Sequence, residues 1–187
     1  MRVIAGTARS VPLVCPRGLN TRPTGDQIKE TLFNIISPDI PGARFLDLFA
    51  GSGAIGIEAL SRGAESAVFV DKSREANKCI CANLEKTRLG GSAQVLLMDV
   101  YAALNELEHK GMQFDIIFMD PPYDMEIEKE VFQALSRSRI VSKDTMIIAE
   151  ASAQTDFSYL EEEGFTLLRE KKYKTNKHVF AVRSAEQ

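Results

Sequence analysis

The chain has 187 residues, 44% hydrophobic and 26% charged, with net charge −3, a length and balance that fit one globular domain and exclude a disordered or fibrous chain. No run of about 18 apolar residues occurs, which excludes a membrane-spanning helix, and residues 1–6 lack the apolar core of a signal peptide, so a cytoplasmic protein with no membrane partner is expected. Cys15, Cys79 and Cys81 give an odd count, and with His109 and His178 as the two histidines no metal-ligand cluster stands out, so no metal and no disulfide framework are expected.

In chain order, residues 2–5 and 11–14 read as short extended segments around Gly6-Thr7-Ala8-Arg9-Ser10, a hairpin. Residues 16–23 read as loop. Thr24 then opens a helix, with Gln27 completing a capping box and Ile28, Leu32, Ile35 and Ile36 forming one apolar face. Ser37-Pro38 ends that helix and Pro41-Gly42 ends the segment. The first predicted unit is therefore an N-terminal extension over 1–40, followed by one domain over 41–187. In that domain, strands at 45–49, 67–70, 94–98, 114–119 and 145–149 alternate with helices at 54–62, 74–87, 101–109, 126–136 and 157–163. Segments 165–168 and 179–182 close the chain as an antiparallel pair around the basic stretch 171–177. Strand–helix alternation predicts an α/β fold with a mostly parallel sheet, right-handed crossovers and helices on both faces.

The strand at 114–119 runs into Asp120-Pro121-Pro122-Tyr123. Two prolines cannot continue a strand ladder, because proline has no N–H to donate. The chain must turn there, at the kind of strand end where open α/β sheets bind ligands. The carboxylate of Asp120 and the carbonyl of Pro121 can accept from an exocyclic amine, and the Tyr123 ring can stack on a flat base.

The first strand of the domain enters Asp47-Leu48-Phe49-Ala50-Gly51-Ser52-Gly53-Ala54-Ile55-Gly56. The glycines satisfy G-x-G-x-x-G, and Asp71 lies 20 residues after Gly51. That spacing alone fits a dinucleotide fold and leaves a nicotinamide-dependent oxidoreductase open. Asp47 points elsewhere, because an acid beside the loop repels a pyrophosphate and suits a cationic amino group. Asp47, Asp71, Asp99 and Asp120 terminate four successive strands. One such acid is commonly a helix cap. Four suit a ligand rich in donors and free of phosphate, such as S-adenosylmethionine.

The charge is uneven. Residues 1–25 hold Arg2, Arg9, Arg17 and Arg22 without an acid, giving +4 and leaving −7 for the rest. A second basic cluster comprises Arg169, Lys171, Lys172, Lys174 and Lys177. Basic patches on an acidic body are compatible with a phosphate backbone as partner.

These segments together resemble the class I S-adenosylmethionine-dependent methyltransferases over 43–183. More sharply, they resemble the bacterial 16S rRNA guanine-N2 methyltransferases that modify guanine 966. The matching segments are Arg2-Val3-Ile4-Ala5-Gly6, Arg22-Pro23-Thr24, Glu30-Thr31-Leu32-Phe33-Asn34, the stretch 47–63 and Asp120-Pro121-Pro122-Tyr123, in the family's order. Ser10 stands where a glycine is common, and Cys79-x-Cys81 belongs to no family pattern.

The resemblance implies a Rossmann-like seven-stranded sheet of order 3-2-1-4-5-7-6. It implies methyl transfer from S-adenosylmethionine, leaving S-adenosylhomocysteine, to a guanine N2 in 16S rRNA, in the small ribosomal subunit or its assembly intermediate. Asp47, Phe49, Ala50, Gly51, Ser52, Gly53, Asp71, Lys72, Asp99, Val100 and Asp120 would form the cofactor site. Asp120, Pro121, Pro122 and Tyr123 would handle the target base, and Arg2, Arg9, Arg17, Arg22 and Thr24 the RNA. An adenine-N6 methyltransferase on DNA or RNA is the alternative, weakened by the lack of a target-recognition domain. No apolar stripe is left over for an obligate dimer, so a monomer is expected.

Overall fold

The computed structural model describes residues 1–16, 25–122 and 127–185. Their strands form one seven-stranded sheet in the order β3-β2-β1-β4-β5-β7-β6. The strands are β1 (Arg44–Asp47), β2 (Ser66–Asp71), β3 (Ala93–Leu97), β4 (Phe114–Met119), β5 (Val141–Ser152), β6 (Phe165–Lys172) and β7 (Asn176–Arg183). The order is that of the class I methyltransferase fold implied by the resemblance. Among the described residues no helix is long and apolar enough to cross a membrane. The chain divides into two compact units, Met1–Asp99 and Val100–Gln187.

In the first unit, β1, β2 and β3 pair in parallel, with Leu46 beside Val68 and Val68 beside Gln94. Their crossovers carry α2 (Ala54–Ser61) and α3 (Arg74–Thr87). Ser73 caps α3 by accepting from the Ala76 N–H at 3.3 Å, as a serine before a helix should. All eight residues of α2 are buried, Glu58 and Ser61 included. The N-terminal segment covers part of this helix. Thr7 N donates to Ser61 O at 2.8 Å, Ala8 N donates to Ser61 Oγ at 2.9 Å, and Ser61 Oγ donates to Ala5 O at 2.6 Å. Gly6 is needed for this approach: a Cβ there would lie 1.7 Å from Ser61 O, at a φ of +84° that disfavours side chains.

The expected N-terminal hairpin is reduced to one antiparallel bridge, Arg2 with Pro12, flanked by Val3 N→Val11 O at 3.0 Å and Ser10 N→Val3 O at 2.8 Å. Pro12 has no N–H to extend the ladder. The first helix, α1 (Asp26–Ile35), has Gly25 at its N-cap and no side-chain cap hydrogen bond there; Thr24, on which the predicted capping box rests, lies outside the described residues. Its buried face is Lys29, Leu32 and Phe33, followed by Ile36, while Ile28 and Ile35 are only half-buried.

In the second unit, α4 (Val100–His109) and α5 (Ile127–Arg137) flank β4 in sequence. β4 pairs in parallel with β5, and β7 is antiparallel to both β5 and β6. β5 begins earlier than predicted. A register shift after Phe114 is held by Thr145 Oγ1 donating to Phe114 O at 2.7 Å. The helix predicted over 157–163 is only a 3₁₀ turn, Ser158–Leu160. Asp156 turns the chain by accepting from Ser158 N at 3.0 Å, and Gly164 at φ +79° ends it. So short a segment cannot offset the cost of helix nucleation. The basic stretch 171–177 comprises the end of β6, a short turn and the start of β7.

Candidate active site

β1 ends at Asp47, and the chain then makes the glycine loop before α2. Ala50 N donates to Val70 O at 3.0 Å, so the loop is hung from β2. Gly53, at φ +76°, is the N-cap of α2 and offers no side-chain acceptor. Asp47 supplies one from a distance: its Oδ2 accepts from Gly56 N at 3.3 Å, in the first turn of α2. The last glycine has a packing reason, because a Cβ on Gly56 would lie 2.4 Å from the Phe69 ring.

The other oxygen of Asp47 is unlike a cap. Asp47 is 1% exposed, and Oδ1 is buried without a hydrogen-bond partner among the described residues. Burial pushes its carboxyl up to about 7; the nearby Asp71 charge adds to this, and the Gly56 and Phe49 N–H groups partly oppose it. Asp71 is half-buried and committed to the loop. Its Oδ2 accepts from Gly51 N at 2.9 Å and its Oδ1 from Ser73 N at 2.8 Å. Within this unit Phe49 is half-buried, Ala50 and Ser52 are buried, Lys72 is exposed, and Asp99 is exposed at the end of the unit. A buried acceptor with no donor, beside a backbone-lined loop, fits a cofactor that carries an ammonium group and no phosphate.

In the second unit, Val100 is buried at the start of α4. Asp120 follows the last residue of β4 and is half-buried, Pro121 is buried and Pro122 is exposed. Tyr123 lies outside the described residues, as do Arg17 and Arg22. Arg9 is exposed. Arg2 is exposed and pairs with Asp26 at 3.7 Å. Among the described residues no cluster of three or more histidines, cysteines or acids could hold a metal ion.

The family described as conserved hypothetical protein 95 matches residues 1–182. Ribosomal RNA small subunit methyltransferase D of Escherichia coli K12 is 35% identical, over 82% of this chain and 76% of its own. The protein of that name from Haemophilus influenzae is 33% identical, over 91% of this chain and 88% of its own. The chain belongs to this family. Its fold agrees with a solved hypothetical protein of Thermus thermophilus, at TM-score 0.83 and 31% identity, over 96% of this chain and 98% of that one.

Sequence reasoning missed two side chains that hold the first unit together. Asn83, buried in α3, accepts from Val14 N at 2.8 Å and donates to both Val14 O and Ser52 O at 2.8 Å. It clasps the N-terminal segment to the glycine loop. Glu58 accepts from Ile4 N at 2.8 Å, Ala5 N at 3.0 Å, Lys29 Nζ at 3.0 Å and Arg62 Nε at 2.8 Å. The signal for Glu58 was present, since an acid inside Ala-Ile-Gly-Ile-Glu-Ala-Leu-Ser must find a buried partner. Asn83 gave none, because a polar residue in an amphipathic helix reads as solvated.

Proposed function

We propose that this protein transfers a methyl group from S-adenosylmethionine to the exocyclic N2 of one guanine in small-subunit rRNA. One observation carries the reading: Asp120-Pro121-Pro122 ends β4 in a chain whose relatives across most of its length are named small-subunit rRNA methyltransferases. The cofactor brings an already activated methyl on a sulfonium, so the protein's work is to hold and orient.

Oδ1 of Asp47 accepts from the cofactor's ammonium group, and the Gly51–Gly53 backbone gives a surface without side chains at that end. Asp71, its loop bonds kept, offers its remaining lone pairs to the ribose hydroxyls. Asp99 accepts from the adenine amine; Phe49, Ala50, Lys72 and Val100 line the site. Asp120 and the Pro121 carbonyl accept the two N–H bonds of the target amine, which directs its lone pair to the methyl and stabilises the charge developing on nitrogen. Tyr123 stacks on the base. A base inside a duplex cannot present this amine, so it is flipped out or taken from a loop, and stacking worth roughly 1–3 kcal/mol offsets much of the unstacking cost. Residues 1–40 act as an RNA-binding extension, with Arg2, Arg9, Arg17, Arg22 and Thr24 on phosphates or sugars.

The test is transfer of radiolabel from S-adenosylmethionine to small-subunit particles from cells lacking this protein, followed by nucleoside analysis. Label in N2-methylguanosine at one position is expected. Label in N6-methyladenosine would replace this reading by the adenine one.

Asp47 gives a pH prediction. Below about pH 7 its carboxyl is protonated in the free protein and cannot act as an anionic acceptor. Affinity for S-adenosylhomocysteine should therefore rise with pH up to about 7 and level off above it. The folded pKa is raised, so the folded state binds the extra proton. Stability of the free protein should then fall as pH rises from about 4 to about 7. Titrations with S-adenosylhomocysteine and denaturant melts across that range check both slopes, and Asp47→Asn should flatten them. A wild-type affinity independent of pH would remove Asp47 from the ammonium.

A further inference from the structure

Four polar residues of the second unit, Glu150, Tyr173, Asn176 and His178, meet beside the turn between β6 and β7. His178 is fully buried, with Nε2 3.0 Å from Glu150 Oε2 and Nδ1 3.1 Å from the Tyr173 hydroxyl. Asn176 Nδ2 donates to Glu150 Oε1 at 2.6 Å. Tyr173 N donates to Asn176 O at 2.8 Å, and Ala153 N to Thr175 O at 3.1 Å. A turn that merely carried solvated lysines would need no such foundation. Burying a carboxylate, an imidazole and an amide is costly unless all are paired, and the return is a rigid support.

The register shows where this support stands. Met119 pairs with Ala149, Ala149 with Val179, and Glu150 with His178. One residue beyond these pairs, Asp120 is level with Glu150. Two further pairs, Ala151 with Lys177 and Ser152 with Asn176, carry the hairpin onward, so its turn stands roughly 7 Å beyond the level of Asp120 at about 3.3 Å per residue.

The hairpin's cations divide by face. Paired residues share a face, and faces alternate along a strand. Phe118 lies edge-on to His178, which lies edge-on to Phe180, so these three share one face. The two-residue period adds Asp120 to it. Arg169 pairs with Phe180 and Lys171 with His178, which places both cations on that face. Among the described residues neither has an ion-pair partner. The opposite face is neutralised: Glu170 pairs with Lys172 at 3.0 Å and with Lys177 at 3.1 Å, and Lys177 also lies over the Phe157 ring. Tyr173, edge-on to His178, stays a neutral phenol, its ionisation pushed up to about 12 by burial and the Glu150 charge.

We infer that the β6–β7 hairpin is an RNA-docking element, with Arg169 and Lys171 holding phosphates of nucleotides that flank the target base. The inference rests on the proposed action on RNA and adds a second contact surface to the N-terminal arginines. Three strand spacings separate β4 from β6, about 14 Å at 4.8 Å each. That span reaches neighbouring nucleotides and not the reacting amine. The hairpin therefore sets the register of the RNA and takes no part in the chemistry.

The test uses the full chain and small-subunit RNA, with affinity measured against salt and methyl transfer measured in parallel. Arg169→Ala/Lys171→Ala should lower the log–log salt slope by about two, one for each phosphate no longer held. It should raise KM for RNA while kcat and S-adenosylhomocysteine affinity stay at wild-type values. Lys172→Ala, on the neutralised face, should leave the slope unchanged. An unchanged slope in the double variant, or an equal loss in Lys172→Ala, overturns the inference. Wild-type protein that binds the RNA but methylates none of it overturns the proposed reaction alone, because the salt slopes still decide the hairpin.

Discussion

Asp120→Ala is expected to lower kcat for methyl transfer by about 10²–10³-fold, the usual cost of removing one charge-stabilising group from an active site. Affinity for S-adenosylhomocysteine should be largely kept. The reason is a division of labour. The group suited to an ammonium is Asp47 Oδ1, buried and without a partner among the described residues at the end of β1. Asp120 follows β4, before two prolines that cannot prolong the strand. An acceptor that bonds both before and during methyl transfer gains strength as nitrogen becomes positive, so its loss appears mainly in kcat. Asp120→Asn keeps one acceptor oxygen and should fall between alanine and wild type. Single-turnover rates and S-adenosylhomocysteine titrations on the same preparations separate the two effects. A large loss of cofactor affinity with an unchanged single-turnover rate would move Asp120 to the cofactor.

The alternating middle of the chain was readable because each strand is a compact apolar run and each helix has its own punctuation. Ser73 before α3 and Pro121-Pro122 after β4 set boundaries that the fold keeps. The failures came where tertiary contacts overrule local pattern. Residues 157–163 have helical spacing, yet Phe157 and Leu160 reach the core from a single 3₁₀ turn. Phe157, Tyr159 and Phe165 all pack against Phe132, and that ring cluster does not need a helix. β5 was read too short because Val141–Thr145 carries polar residues whose hydroxyls serve its irregular start.

Candidate site residues were readable by type and less so by environment. The acid at 47 could be picked out by its place before the glycines. That one of its oxygens caps α2 while the other is buried without a partner among the described residues depends on the distance between β1 and the first turn of α2. Asp71 carries a structural duty that spacing does not reveal, because both its oxygens already accept backbone N–H groups. His178 was counted in the sequence reading but given no role, since a lone histidine in an apolar strand has no periodic partner. Glu150 becomes one only through the β5–β7 register.

Glu58→Gln should be the most destabilising conservative change in the first unit, by about 3–5 kcal/mol, as expected when one member of a buried ion pair is removed. Glu58 and Lys29 side chains are both 0% exposed. The two Glu58 oxygens take four donors, two of them charged. An amide supplies one oxygen in place of two, so either orientation sets an NH₂ against a backbone N–H and a cation. Lys29 also donates to Arg2 O at 2.6 Å, so the same change loosens the segment that carries Arg2 and Arg9. For a chain of this size the loss corresponds to a Tm drop of roughly 10 °C. Glu58→Gln/Lys29→Met removes both members of the fully buried pair and should recover part of it, because Lys29 no longer leaves an unpaired charge in the core, while Arg62, 15% exposed, keeps some access to water. The double variant keeps its glycine loop and should still bind S-adenosylhomocysteine. Its RNA affinity should stay low, because one of the two N–H groups of Ile4 and Ala5 has lost its acceptor on α2. Calorimetry of the three proteins, with RNA binding on each, decides the matter. A single variant that melts with wild type would mean that the N-terminal segment does not depend on Glu58. Full RNA affinity in the double variant would mean that docking of that segment is not what presents its arginines.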